Sequence, residues 1–133
     1  MPLGGTTAYA AAANGIYGNG TNGISIDINA APYTTFAGYA YGGNAYGAAG
    51  CAWFASARVN QLTGKGSTIR AGTNWWRNAS SLGYTKGQDA KAKAIACYEN
   101  HVAIVERIDG DTATISEGGY NAAAYRDYGY CRI

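Results

Sequence analysis

Two apolar runs on either side of an Asp-Gly pair fix the back half of this 133-residue chain as antiparallel sheet. Residues 94–98, 101–108 and 112–116 are short, apolar runs, and Asp109-Gly110 between the last two is a strong hairpin signal. A further strand is expected within residues 125–133. Side chains alternate across a sheet, so loop length decides which residues share a face. A two-residue loop of Asp109 and Gly110 would set Val102 opposite Glu117, with Glu117 on the far side of the sheet from His101. A three-residue loop extending to Asp111 would set Ala103 opposite Glu117 and Val105 opposite Ile115, with Glu117 diagonally beside His101.

Ahead of the sheet, Cys51 opens a run in which Cys51, Ala55, Val59 and Leu62 fall on one helical face before Gly64 stops it. A thiol at a helix N-terminus meets unpaired backbone N–H groups and the positive end of the helix dipole. These would stabilise a thiolate and bind an oxyanion formed in acyl transfer. His101 is the sole histidine, and imidazole is the side chain suited to take a thiol proton near neutral pH. The plainer alternative is a buried cysteine and a satisfied core histidine, since free cysteine is among the most buried residue types. A second helix is expected from a cap at Thr73 or Asn74, with Trp75, Ala79 and Leu82 on one face and Gly83 at its end.

Gly-Cys-Ala-Trp-Phe-Ala at 50–55 is followed by Thr-Asn-Trp-Trp-Arg-Asn-Ala at 73–79 with Gly-Tyr at 83–84. Ala-Ile-Ala-Cys-Tyr at 94–98, Asn-His-Val-Ala-Ile-Val-Glu at 100–106 and Ile-Ser-Glu at 115–117 complete the series. In this order the blocks resemble the CHAP family, the cysteine, histidine-dependent amidohydrolases and peptidases of bacterial and phage cell-wall lysis. The resemblance runs from about Tyr46 to the C-terminus, and the histidine and glutamate blocks are its most specific parts. Gly50 stands where the family usually carries Gln, and Gly119 where it often carries Asn.

The resemblance implies an α+β, papain-like fold with N-terminal helices packed on an antiparallel sheet. It also implies peptidoglycan as substrate, cut by Cys51 as nucleophile with His101 as base. Glu117 is the carboxylate expected to orient the imidazole, which selects the three-residue loop, because only that register lets Glu117 reach His101. Glu106 lies on the other face of the histidine strand and is rejected for this role. Trp53, Trp76, Asn100 and Tyr120 are the candidates to line a substrate groove, although paired tryptophans more often serve packing. Asn121 is the next candidate to orient His101.

Length and composition suit one domain, divided into a Gly/Tyr-rich segment over 1–45 that packs on a catalytic core over 46–133. Within the first segment, Ile24, Ile26 and Ile28 suggest a short strand and residues 8–13 a helical turn or two. A net charge of +2 with no basic run excludes a nucleic-acid groove. No apolar stretch reaches membrane-span length, and no export signal is expected from the N-terminus. Action at the cell wall is then expected by secretion, phage release or attachment to a tail, with the chain as a monomer.

Of the other two cysteines, Cys97 and Cys131 read as core or strand residues, with a cross-strand disulfide as the rival. No cofactor and no metal are expected, because the chain lacks clustered ligands of zinc-site spacing and residues 33–50 carry no acidic side chain. Two other readings stay open: another papain-like amidase, or an inactive wall-binding or structural module. Thiol reactivity separates the active readings from the inactive one.

Overall fold

Over its first nine residues the helix α1, Cys51–Thr63, has no side facing water: Cys51 through Val59 are all buried. An apolar helix surrounded by other elements reads as hydrophobic all round rather than as a stripe. It ends where Gly64 takes φ 74° and its N–H bonds the carbonyl of Asn60, a left-handed C-cap that favours glycine. The computed structural model describes residues 6–8, 16–17, 23–36, 50–65, 72–118 and 127–132.

Strands β1 (Thr6–Ala8), β2 (Ile16–Tyr17), β3 (Thr85–Gly87), β4 (Ile95–Tyr98), β5 (His101–Asp109), β6 (Thr112–Gly118) and β7 (Asp127–Arg132) form one sheet in the order β1-β6-β5-β4-β7-β3. All pairs are antiparallel except β1 with β6, and β2 adds to β6 separately. Helix α1 packs on β5 and β6, and α2 (Gly72–Asn78) on β4, β5 and β7. The fold is thus α+β, as the sequence indicates.

The two sheet faces have separate cores. On the helix side, Ile95, Cys97, Val102, Ile104 and Cys131 meet Trp53, Phe54, Val59 and Trp75. On the other side, Ala94, Ala96, Ala103, Val105, Ile115 and Tyr130 form a smaller cluster. Burial of each large apolar side chain here is worth roughly 1.5–3 kcal/mol. Residues 23–36 pack on α1 through Tyr33, whose ring lies 6.1 Å from Trp53 and 5.9 Å from Phe54.

Several sequence expectations need correction. Ile24 and Ile26 are buried between exposed neighbours, but residues 24–27 form no strand, because alternation supplied burial without a partner ladder. Residue 8 ends β1 rather than opening a helix, and residues 9–13 lie outside the described part. Helix α2 starts ahead of Thr73 and Asn74 and stops at Asn78, leaving Leu82 51% exposed instead of on a core face.

The hairpin corrects the expected loop but keeps the expected register near the histidine. Asp109 pairs with Thr112, so the loop is Gly110-Asp111, and Gly110 takes φ 57° at its first position. Arg107 pairs with Thr114 while Val105 pairs with Ile115, so β5 gains one residue at Glu106. Beyond this bulge Ile104 pairs with Ser116, which continues to Ala103 opposite Glu117. Loop and bulge together give the pairing that a three-residue loop would have given alone.

The bulge is anchored. Arg58 of α1 donates from Nε at 2.8 Å and from Nη2 at 2.6 Å to the two oxygens of Glu106, and Ser116 Oγ donates to the same carboxylate at 2.6 Å. Gln61 Oε1 accepts from Arg58 Nη1 and from the Tyr33 hydroxyl, both at 2.6 Å. Burial lifts the Tyr33 hydroxyl pKa. For Arg58 burial works against the charge, but hydrogen bonding and attraction to Glu106 outweigh it.

Candidate active site

His101 begins β5 and Glu117 lies one residue from the end of β6, on the sheet face shared with Ala103, Val105 and Ile115. The imidazole Nε2 and Glu117 Oε1 are 2.9 Å apart, and both side chains are fully buried. A carboxylate accepts only, so Nε2 carries the proton of the neutral ring and Nδ1 is its basic nitrogen. Tyr98, opposite His101 in the β4–β5 pair, flanks the ring at 6.1 Å between centroids.

Cys51, 1% exposed, is the first residue of α1. Gly50 ahead of it has extended backbone and offers no side-chain cap, so no side chain there competes for the first-turn amides. Burial opposes protonation of His101, but hydrogen bonding to Cys51, then to Glu117, together with their charges, outweighs it and raises the imidazole pKa. The structure thus brings Cys51, His101 and Glu117 to one place. Chemically, such a set can pass a proton from thiol to imidazole and hold the resulting cation against a carboxylate.

Gly118 explains how the helix comes so close. A Cβ there would stand 2.7 Å from Phe54 Cβ and 3.0 Å from the Gly50 carbonyl oxygen. Only a residue without a side chain lets the N-terminal turn of α1 rest against the end of β6. Sequence reasoning missed Gly118, although its place directly after Glu117 was a usable signal. It also missed the Arg58–Glu106 tether, for which the signal was an arginine inside the apolar run of α1 and a glutamate at the end of the apolar stretch of β5.

The groove candidates fare differently. Trp53 is 1% exposed and donates its indole N–H to the Tyr33 carbonyl at 2.9 Å, so it is a core residue and not a groove wall. Trp75 fills the core in an edge-on contact with Tyr84 at 4.4 Å, leaving Trp76 as the half-buried member of the pair. Lys86 Nζ lies 4.7 Å over the Trp76 ring. Asn100 is exposed in the turn before His101 and takes φ 57°, a conformation Asn tolerates well. Tyr120 and Asn121 lie outside the described residues. Glu106 is held by Arg58, away from the imidazole.

Cavities of about 270 and 240 Å3 open elsewhere, one beside Asp89, Ile108 and Asp111, the other beside Thr85, Lys91 and Tyr130. Neither touches the three grouped residues. Among the described residues no cluster of three or more His, Cys, Asp or Glu side chains could hold a metal ion, and no helix is long and apolar enough to cross a membrane.

The family model of the CHAP domain matches residues 38–119, a span that includes Cys51, His101 and Glu117. The chain belongs to the CHAP family. This CHAP chain is also 32% identical over 126 residues to the staphylococcal secretory antigen SsaA of Staphylococcus aureus strains NCTC 8325 / PS 47 and Newman, covering 87% of the chain and 48% of each relative. The staphylococcal secretory antigen ssaA1 of Staphylococcus aureus strain COL matches to the same extent. The CHAP chain therefore spans about half the length of the curated relatives it matches. No solved structure gives a significant match.

Proposed function

We propose that this chain hydrolyses an amide bond of bacterial peptidoglycan with Cys51 as nucleophile, His101 as general acid–base and Glu117 as the group that orients it. The observation that carries the reading is the 2.9 Å contact of His101 Nε2 with Glu117, on an imidazole that Cys51 also engages. Nδ1 takes the thiol proton as Sγ adds to the carbonyl carbon. The oxyanion is met by first-turn amides of α1, the Cys51 N–H foremost. Collapse breaks the C–N bond, and the amine leaves with the proton from the imidazolium. Water, deprotonated by the same nitrogen, then cleaves the thioester and regenerates the thiol.

Membership in a family of amidohydrolases and peptidases supports the reaction class, and the name secretory antigen borne by relatives supports action outside the cell. The test is digestion of purified peptidoglycan followed by mass spectrometry. Loss of the stem peptide from muramic acid identifies an amidase, and new amino termini within the peptide identify an endopeptidase. Cys51→Ser should abolish release while leaving the fold unchanged, and release that persists in Cys51→Ser would remove Cys51 from the mechanism. Intact wall with the wild-type chain, together with binding to it, would favour a wall-binding module.

A further inference from the structure

Two nucleophilic side chains stand outside the proposed chemistry. Cys97 of β4 and Cys131 of β7 hold their sulfurs 3.6 Å apart, and both residues are fully buried. Cys131 pairs with Ile95 and Cys97 with Gly129, so the two cysteines lie diagonally on one face of adjacent strands. Both belong to the core beneath Trp75 and not to the site around His101. Closing this separation to a disulfide bond of about 2.0 Å takes side-chain rotation together with a shift of β4 against β7, because diagonal partners lie farther apart than directly opposed ones.

We propose that Cys97 and Cys131 form a cross-linking site, closed to a disulfide by exchange with a low-molecular-weight disulfide as β4 and β7 assemble. Cys131 thiolate attacks one sulfur of the external disulfide, forming a mixed disulfide and expelling one thiolate. Cys97 then gives up its proton and displaces the second, so two protein thiols are oxidised and the external disulfide leaves as two thiols. The surroundings fit these roles. Hydrogen bonding from Cys97, with the charge of Lys86, outweighs burial and holds the Cys131 thiol low, while burial holds Cys97 high. Of the three cysteines in the chain, Cys51 is then the one left as a thiol. The cysteines are 34 positions apart, so the bond closes a long loop that includes β5 and β6.

The test is to refold the full chain in glutathione buffers from fully reduced to fully oxidised, denature it in N-ethylmaleimide, and weigh it before and after reduction. The expected result in oxidising buffer is one maleimide, on Cys51, with Cys97 and Cys131 in a single linked peptide. Reduction should lower the melting temperature by roughly 10 °C, the scale expected for a loop of this length. The same reduction should leave the melting temperature of Cys97→Ala/Cys131→Ala unmoved. If that variant does not fold, the wild-type peptide map alone decides. Three maleimides in every buffer, or a cross-link that includes Cys51, would overturn the proposal. The outcome is independent of whether Cys51 is the nucleophile, because it reads pairing and not lysis.

Discussion

Glu106 of β5 binds Arg58 of α1 through both carboxylate oxygens at the one point where β5 gains a residue on β6. The bulge sets the register five residues on from His101, and the tether joins it to the helix that starts with Cys51. Removing Arg58 alone leaves a buried carboxylate without its cation. Arg58→Ala should therefore cost about 3–5 kcal/mol in urea unfolding. Arg58→Met/Glu106→Leu should restore most of that stability yet stay impaired in wall lysis, because the bulge loses its anchor. Full activity in the apolar pair would separate the tether from the site.

Glu117→Gln should keep the fold and slow turnover by roughly ten- to a thousandfold, the range of general acid–base and partial triad contributions. Its pH profile carries a second readout. Glu117 is among the groups that raise the His101 pKa, so its loss should move the acid limb of activity, where the imidazole becomes free to take the thiol proton, to lower pH. Stability follows the same sign. A pKa raised by folding contributes stability fully below the unfolded value of about 6.5 and loses it as pH rises through the folded value. Melting temperature should thus fall less steeply across that window in Glu117→Gln than in the wild type. Parallel profiles would mean that another group supports the imidazolium.

Gly118→Ala should push α1 away from β6, because the added methyl meets Phe54 at 2.7 Å and the helix-end carbonyl at 3.0 Å. The strain should cost about 1–3 kcal/mol. A displacement on the order of 1 Å at the nucleophile should cost up to about a hundredfold in kcat. Unchanged kinetics with lowered stability would show that the strain is absorbed away from Cys51.

Lysis should survive EDTA, since thiol chemistry of this kind needs no metal. Asp27, the acidic residue of the segment packed on α1, already accepts a hydrogen bond from the Asn29 N–H at 2.9 Å. A loss on chelation that calcium restores would place ligands elsewhere in the chain.

Much of the site was legible because its parts are local. The start of α1 at Cys51, its stop at Gly64, and the strands bearing His101 and Glu117 follow from periodicity and from glycine at a turn. What escaped was long-range. A bulge depends on what lies across the strand, and Glu106 announces one only with Arg58 in view. Trp53 looked like a groove residue because nothing in the sequence shows that Tyr33 returns to cover it and accept its N–H. Leu82 looked buried by its spacing, yet α2 ends before it at Asn78.

Burial of α1 on every side also sets how this scaffold tolerates change. A substitution library would be depleted across residues 51–59, where any new side chain disturbs packing before it touches chemistry. The edge strand Thr85–Gly87, exposed along its length, should accept variation more readily, apart from Lys86 over the Trp76 ring. Attempts to retarget the domain would therefore begin at that edge and leave the helix of Cys51 intact.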